Sequence, residues 1–414
     1  VSKFSYNRIF VVGLGFFTIS IAWQIYNAFM PLMLGEFIES KALRGMIMGL
    51  DNFANLLLIP IIGAWSDRLH TSYGKRLPFL MVGMPLAAIF LFLMPNYLNL
   101  WTLIAIDIGF LLAMTLFRAP TVSLMPDITP SEKRSQANGI INFMGGVGAL
   151  VALFGLAQIH KQNEALPFYI VAVIMLLVII TFVLVLKRIV PVTSDKGDEG
   201  TSSGGLIQGL REIFTSQDRS IIYLLLAIFF WFLGYSGVEA QFTTYGVESL
   251  GLLEGDAATL LGVFSLTFII FAIPSGFLAR FWGRKRTIQI GILGLSIVFV
   301  ILFFVSNILL MQIFLLVGGM CWALINIHSY PMVVDMTTEA KIGLYTGIYY
   351  LFSSLSQMAG PFLVGLFMDL LGNQFMFISS MLFMLISFFF ISGVRIVHKN
   401  GKMAQTNENV ERTI

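Results

Sequence analysis

Twelve stretches of about twenty predominantly apolar residues, each long enough for one bilayer crossing, follow one another along the chain. They lie at 9–34, 43–65, 78–95, 100–120, 137–159, 165–186, 220–246, 257–279, 287–305, 308–333, 342–367 and 374–394. Hydrocarbon offers backbone N–H and C=O groups no partner but each other, so a spanning segment is either a helix or a strand of a closed barrel. A barrel would show alternating segments of about ten residues. These runs are longer and apolar throughout, which predicts an all-α membrane protein of twelve transmembrane helices. Only 11% of the residues are charged, against about 25% in soluble domains. The opening VSKFSYNRIF lacks the short apolar core of a signal peptide, and the first run is long enough to remain in the membrane.

One link differs from the rest. Residues 187–219 contain SDKGDEGTSSGG, rich in Gly, Ser and charge without apolar periodicity, the composition of a flexible linker. The chain is therefore expected to comprise a six-helix bundle at 1–186, the linker at 187–219, a second six-helix bundle at 220–395 and a tail at 396–414. Basic residues set the orientation. With a cytoplasmic N-terminus, the inside segments hold 21 of the 25 Lys and Arg residues. The outside links hold Lys41, Arg44 and Lys161, and Arg118 falls within a span. Both termini and the linker are expected in the cytoplasm, in a multi-pass protein of a cell membrane such as a bacterial inner membrane.

The halves also repeat each other. Asp127-Ile-Thr-Pro-Ser-Glu-Lys aligns without gaps on Asp335-Met-Thr-Thr-Glu-Ala-Lys at an offset of 208 residues, continuing to Gly139-Ile140 and Gly347-Ile348. Pro60-Ile-Ile-Gly63 resembles Pro274-Ser-Gly276, and both lead into loops of glycine and basic residues. Parallel six-helix repeats with a site between them near mid-membrane are a common plan for carriers.

Helix four carries two charges within its span, Asp107 and Arg118. A charge near the bilayer centre costs about 2.5–3.5 kcal/mol on insertion scales and usually faces a polar cavity. Eleven residues apart, they fall on nearly one helix face, separated by roughly 16 Å along the axis. They are two fixed charges on one wall rather than a contact pair. Asp107 is placed to carry a proton, since a carboxylate withdrawn from water holds its proton more firmly. The alternative is a solvated Asp near the outer end, close to Trp101. Arg118 has five donors in a planar fork to hold substrate hydroxyls or meet Asp107; it could instead snorkel to the cytoplasm or pair with Asp127. Other in-span polar residues are candidates for substrate contact: Gln24, Asn27, Asp51, Asn55, Asn142, Glu239, Gln241, Asn326 and His328, with Trp23, Tyr26, Trp231 and Trp322 as aromatic platforms. Interhelical hydrogen bonds are the plainer role for each.

The loop after helix two reads Gly63-Ala-Trp-Ser-Asp67-Arg68, then Gly74-Lys75-Arg76-Leu-Pro78. It resembles the signature loop of the major facilitator superfamily, G-x-x-x-D-R followed by G-[RK]-R. The longer insert and the proline resemble its sugar-symporter branches, the melibiose-type and sucrose-type carriers. Sucrose/proton symporters carry D-x10-R-A in helix four, then an acidic residue and R/Q-A-N at the start of helix five. Asp107, Arg118-Ala119, Asp127 and Gln136-Ala137-Asn138 stand in that order here. The resemblance implies the major facilitator fold, Asp107 as proton carrier and Arg118 as a substrate-binding residue. Melibiose-type carriers place two carboxylates one turn apart on helix two for sodium; Asn55 and Ile59 occupy those places here, with Asp51 one turn earlier.

The loop charges are assigned to gating. Asp67 is expected to pair with arginines of the other half, and Arg68 and Arg76 to meet Asp127, Glu132 or linker carboxylates, with Asp335 as the second-half counterpart of Asp127. Where Asp67 would repeat, the second half offers Arg280, so a symmetric latch is not expected. The resulting expectation is a secondary active transporter that carries an oligosaccharide, a sucrose- or maltose-like disaccharide, together with a proton. Alternatives are a sodium-coupled glycoside symporter, a drug/proton exporter of the same fold (though helix five lacks the proline that exporters carry), and a transport-inactive sugar sensor. No Ser-His-Asp spacing, HExxH or phosphate loop points to an enzyme, and Cys321 alone provides no disulfide framework or cysteine metal site. The expected partners are the sugar, the proton and the bilayer, with no cofactor, metal or nucleic acid, for a monomer.

Overall fold

Each predicted span is a helix. The computed structural model describes residues 6–69, 71–129, 133–186, 211, 213, 215, 219–337 and 341–395. Among the described residues, twelve helices are long and apolar enough to cross a membrane. We number them α1 (Tyr6–Gly35), α2 (Lys41–Ser66), α3 (Leu77–Asn96), α4 (Leu100–Met125), α5 (Gln136–His160), α6 (Leu166–Val185), α7 (Ser220–Leu250), α8 (Glu254–Trp282), α9 (Arg284–Phe304), α10 (Ile308–Asp335), α11 (Gly343–Leu371) and α12 (Phe375–Gly393). Calls at Glu132, on the tail and on most of the linker lie outside the described residues. Of that linker, Ile213 is buried against the second half.

Helix ends follow local chemistry rather than hydropathy. Asn99 and Thr102 form a reciprocal cap at the start of α4, each side chain serving the other's backbone N–H. The span of α4, expected to stop at 120, reaches Met125, and the helix that carries it runs on to Ile128. Thr129 then turns extended, as a residue preceding a proline tends to do. Two irregularities sit on the seam between the halves. The α2 helix is interrupted for one residue at Gly49. The α5 helix widens to a π-turn over Val151–Leu156, and the Leu153 carbonyl accepts a hydrogen bond from Thr259 Oγ1 of α8 at 3.1 Å. A wide turn releases carbonyls from the normal ladder, and in a membrane each needs another donor.

Among the described residues two large apolar cores form, one drawn from α1–α6 with Ala258 of α8 docked into it, the other from α7–α12 and Ile213, and a small third cluster of Ile62, Phe79 and Ala119 joins α2, α3 and α4. The seam between them is made by α2 with α11, α5 with α8, and α1 with α7. Two of these pairings bring backbones together where glycine removes the side chain. A Cβ on Gly45 of α2 would collide with the Pro361 carbonyl of α11, and one on Gly255 of α8 with the Ala157 carbonyl of α5. Both contacts lie at the end of the bundle that carries the α1–α2, α5–α6, α7–α8 and α11–α12 links. Toward the other end of the same four helices, a Cβ on Gly63, Gly139, Gly276 or Gly343 would meet nothing within 4 Å.

Overpacking of this kind costs roughly 1–3 kcal/mol, or about 5- to 150-fold in a population. Gly45→Val or Gly255→Val is therefore expected to shift the protein out of this closed-end state by that factor. Distances between spin labels at Leu98→Cys and Leu253→Cys would report it, and an unchanged distance distribution would show that close backbone approach does not hold this end shut.

Candidate functional site

Asp107 is fully buried. Among the described residues neither carboxylate oxygen has a partner within hydrogen-bond geometry. The Tyr26 hydroxyl of α1 acts on it and is itself buried, without a hydrogen bond among the described residues. Trp23, Tyr26 and Phe110 pack around the site with ring centroids 5.4–5.9 Å apart, and the buried Trp23 Nε1 is likewise unpartnered.

Arg118 makes no hydrogen bond or ion pair with another described residue, and its electrostatic neighbours are Asp51 of α2 and Tyr350 of α11. Asp107 is not among them, so the cation on this wall answers to Asp51. Asp51 is the hub of the in-span charges: it acts on Tyr26, Asp107, Arg118 and Glu239. Its own hydrogen bond is to the Asn52 side chain at 2.6 Å. Asn55, one turn on, accepts from Thr115 Oγ1 of α4 at 3.1 Å, fixing α2 against α4. Glu239 of α7 stands one turn from Tyr235, which stacks on Trp322 of α10 at 3.9 Å with 5° between the planes.

The remaining candidates divide. Gln24, Asn27 and Asn326 are half-buried, and no described group hydrogen-bonds them. Three others are already committed. Gln241 Nε2 donates to the Lys41 carbonyl at 3.0 Å and the Pro361 carbonyl at 3.1 Å, tying α7 to α2 and α11. His328 Nε2 meets the Ser275 carbonyl of α8 at 3.1 Å. Asn142 donates within its own helix to Asn138 at 2.8 Å and is exposed. The interhelical or local role describes these three.

Of the gating charges, Arg76 and Asp127 meet as expected. Arg76 Nε bonds Asp127 Oδ2 at 2.9 Å and its Nη1 bonds Ser66 Oγ. Arg284 pairs with Asp335. Arg76 to Asp127 and Arg284 to Asp335 are the same pairing displaced by the 208-residue repeat. Each brace is internal to its half, so Asp127 and Asp335 do not bridge the halves. Asp67 ends α2, and Arg68 beside it is exposed.

Hydrogen bonds and ion pairs between described residues of opposite halves all lie at the glycine-packed end. Asp369 of α11 caps the start of α2, accepting from Ser40 Oγ at 2.7 Å, Lys41 N at 2.8 Å and Ala42 N at 3.0 Å. Glu248 of α7 pairs with Lys41 at 3.1 Å and Arg44 at 3.0 Å. On the other flank His160 meets Glu254 at 2.7 Å, Lys161 meets Asp256 at 2.8 Å and Gln158 meets Thr259 at 2.7 Å. His160 is stacked on Phe29 at 3.8 Å. Sequence reasoning missed this latch, yet its signal was present. Lys41, Arg44 and Lys161 are the three exceptions to the basic-residue bias, and all three are latch cations.

Hydrogen bonds to a charged acceptor contribute about 1.5–3 kcal/mol each. Asp369→Asn, which keeps an acceptor but loses the charge, is expected to lower the latched population about tenfold, read from the same label pair. An unaltered population would show the cap to be incidental.

Comparison with known proteins follows the geometry. Residues 12–262 and 247–410 match the Major Facilitator Superfamily, whose members are in general membrane transporters and not enzymes. The chain is 25% identical over 273 residues to the class H tetracycline resistance protein of Pasteurella multocida, covering 63% of this chain and 64% of that one. It is 27% identical over 301 residues to the general alpha-glucoside permease of Schizosaccharomyces pombe, covering 62% of this chain and 52% of that one. In both cases the match spans less than two thirds of the relative's length. The fold is that of a bacterial homologue of the human lysosomal transporter Spinster, solved in an inward-facing, unoccupied conformation, with a TM-score of 0.78 at 14% identity over 95% of this chain and 98% of that one. With twelve spans, a 208-residue repeat and a match along both halves, the chain belongs to the Major Facilitator Superfamily.

Proposed function

We propose that the chain is a secondary active transporter that carries an oligosaccharide, sucrose- or maltose-like, together with a proton by alternating access. The observation that carries this reading is Asp107: fully buried, with neither oxygen hydrogen-bonded among the described residues, beside a tyrosine hydroxyl that is likewise unbonded among them. Such a carboxylate is costly as an anion, and protonation removes that cost. Its charge therefore changes as access to water changes, as coupling requires. Gln24, Asn27 and Asn326 supply free amide ends, Trp23 and the Tyr235–Trp322 stack supply flat apolar faces, and Arg118 supplies an unpaired fork of donors. This combination suits a solute with many hydroxyls. The relative named as an alpha-glucoside permease supports it.

The basic-residue bias puts the latched end outside, so this conformation faces the cytoplasm, with both termini on that side. One proton crossing about 100 mV provides ~2.3 kcal/mol, equivalent to roughly fortyfold accumulation at 1.4 kcal/mol per tenfold. A second reading, proton-driven drug export, draws on the identity to the tetracycline resistance protein.

Proteoliposomes separate these readings. Addition of glucosides should alkalinise the outer medium, with uptake falling as outside pH rises and unaffected by sodium. Asp107→Asn is expected to retain counterflow exchange but to lose uphill accumulation by at least tenfold. Sodium dependence without pH dependence would favour a sodium symporter. Proton-driven efflux of tetracycline without sugar flux would favour the exporter. Absence of flux for a broad solute panel, with binding retained, would indicate a sensor.

A further inference from the structure

Three tyrosines toward the parted end of the seam, Tyr330 of α10 with Tyr349 and Tyr350 of α11, have no part in the proton and latch roles above. The backbone contacts of α11 show which way Tyr350 lies. The face of α11 that carries Pro361 and Gly365 rests on α2: a Cβ on Gly365 would stand 2.5 Å from the Lys41 carbonyl, and the Pro361 carbonyl leaves no room for one on Gly45. Tyr350 comes eleven residues before Pro361, about 20° from it around the helix and roughly 16 Å along the axis. It therefore continues the seam face of α11. Its level is past the Met358 carbonyl that a Cβ on Gly49 would meet at 2.5 Å, and toward Gly343, where a Cβ would meet nothing within 4 Å. There the ring is 59% exposed. A tyrosine of the interfacial aromatic belt would stand on a lipid face; Tyr350 stands on the face that meets the other half.

The ring is held from two sides. Tyr330 stacks on it with centroids 6.5 Å apart and planes inclined by 26°, and Tyr349 stands across it at 5.2 Å and 74°. Both neighbours are pinned through their hydroxyls, Tyr330 to Thr346 Oγ1 at 2.9 Å and Tyr349 to Ser329 Oγ at 2.8 Å, each bond joining α10 to α11. The Tyr350 hydroxyl bonds no described residue, and Arg118 of α4 is the first-half charge that acts on it. A ring fixed in this way has little freedom left to lose when a ligand lands on it. Its π-face is electronegative, and its hydroxyl both donates and accepts. A pyranose is the complementary shape, with a face of C–H groups inside a rim of hydroxyls.

We propose that Tyr350, set in place by Tyr330 and Tyr349, is a stacking platform for one sugar ring of the transported solute, on the second-half wall of the open end. The C–H face of the ring lies on the tyrosine, and the hydroxyl rim is served by the Tyr350 hydroxyl and the Arg118 donors. This inference rests on the oligosaccharide reading above.

Calorimetric titration of the detergent-solubilised protein with sucrose and maltose tests it. Tyr350→Leu is expected to weaken affinity about three- to tenfold, the worth of one aromatic contact, whereas Tyr350→Phe keeps the ring and most of the affinity. Solute-free distances between spin labels at Leu98→Cys and Leu253→Cys should match the wild type in both variants, which separates a lost platform from an altered seam. Equal affinity in Tyr350→Leu and the wild type, or a loss that Tyr350→Phe shares in full, overturns the proposal. If Tyr350→Leu does not fold, Tyr350→Cys is labelled with a maleimide instead, Cys321 being buried. Saturating disaccharide should slow that labelling severalfold, and labelling at an unchanged rate overturns the proposal. Binding of tetracycline and of neither sugar would overturn the oligosaccharide reading and the sugar platform with it. Sugar binding indifferent to Tyr350 would overturn this inference alone.

Discussion

The two halves are held together at one end by charge and backbone contact rather than by an apolar face. In a bilayer, apolar surfaces gain little by meeting, because lipid tails are as apolar as leucine. What remains is close packing, hydrogen bonds and ion pairs, and each of these can be exchanged for water when that end opens. The α2–α11 and α5–α8 pairings supply all three, with Gly45 and Gly255 admitting a facing carbonyl and Asp369, Glu248, Glu254 and Asp256 receiving donors from the other half. A seam built this way closes firmly without becoming permanent.

The braces at the opposite end behave differently. Arg76–Asp127 and Arg284–Asp335 stay within their halves, tying the loop before α3 and the start of α9 to the ends of α4 and α10. The large apolar cores likewise lie one in each half.

Between them lies a set of charges that is not balanced by pairing. Asp51 sits where the broken α2 passes from the latch into the membrane and acts on groups of α1, α4 and α7. Each half presents one buried acid beside a tyrosine, Asp107 with Tyr26 and Glu239 with Tyr235.

The sequence by itself determined the twelve helices, the six-plus-six repeat and the family. Bilayer thickness dictates run length, and a motif such as Gly63 to Arg76 is local. It also marked Asp107 and Arg118 as expensive charges, and the three basic residues of the outside links as exceptions, without saying what they serve. Which partner each charge has is a distance across helices, and neither spacing nor hydropathy encodes that. Only the tertiary structure decided that Arg118 answers to Asp51, that Gln241 and His328 are tied to backbone, that Asp127 and Asp335 brace their own halves, and that Lys41, Arg44 and Lys161 close the seam. The physical reason is the same in every case: one helix face fixes where a side chain points, but the neighbouring helix decides whether it is buried, paired or free.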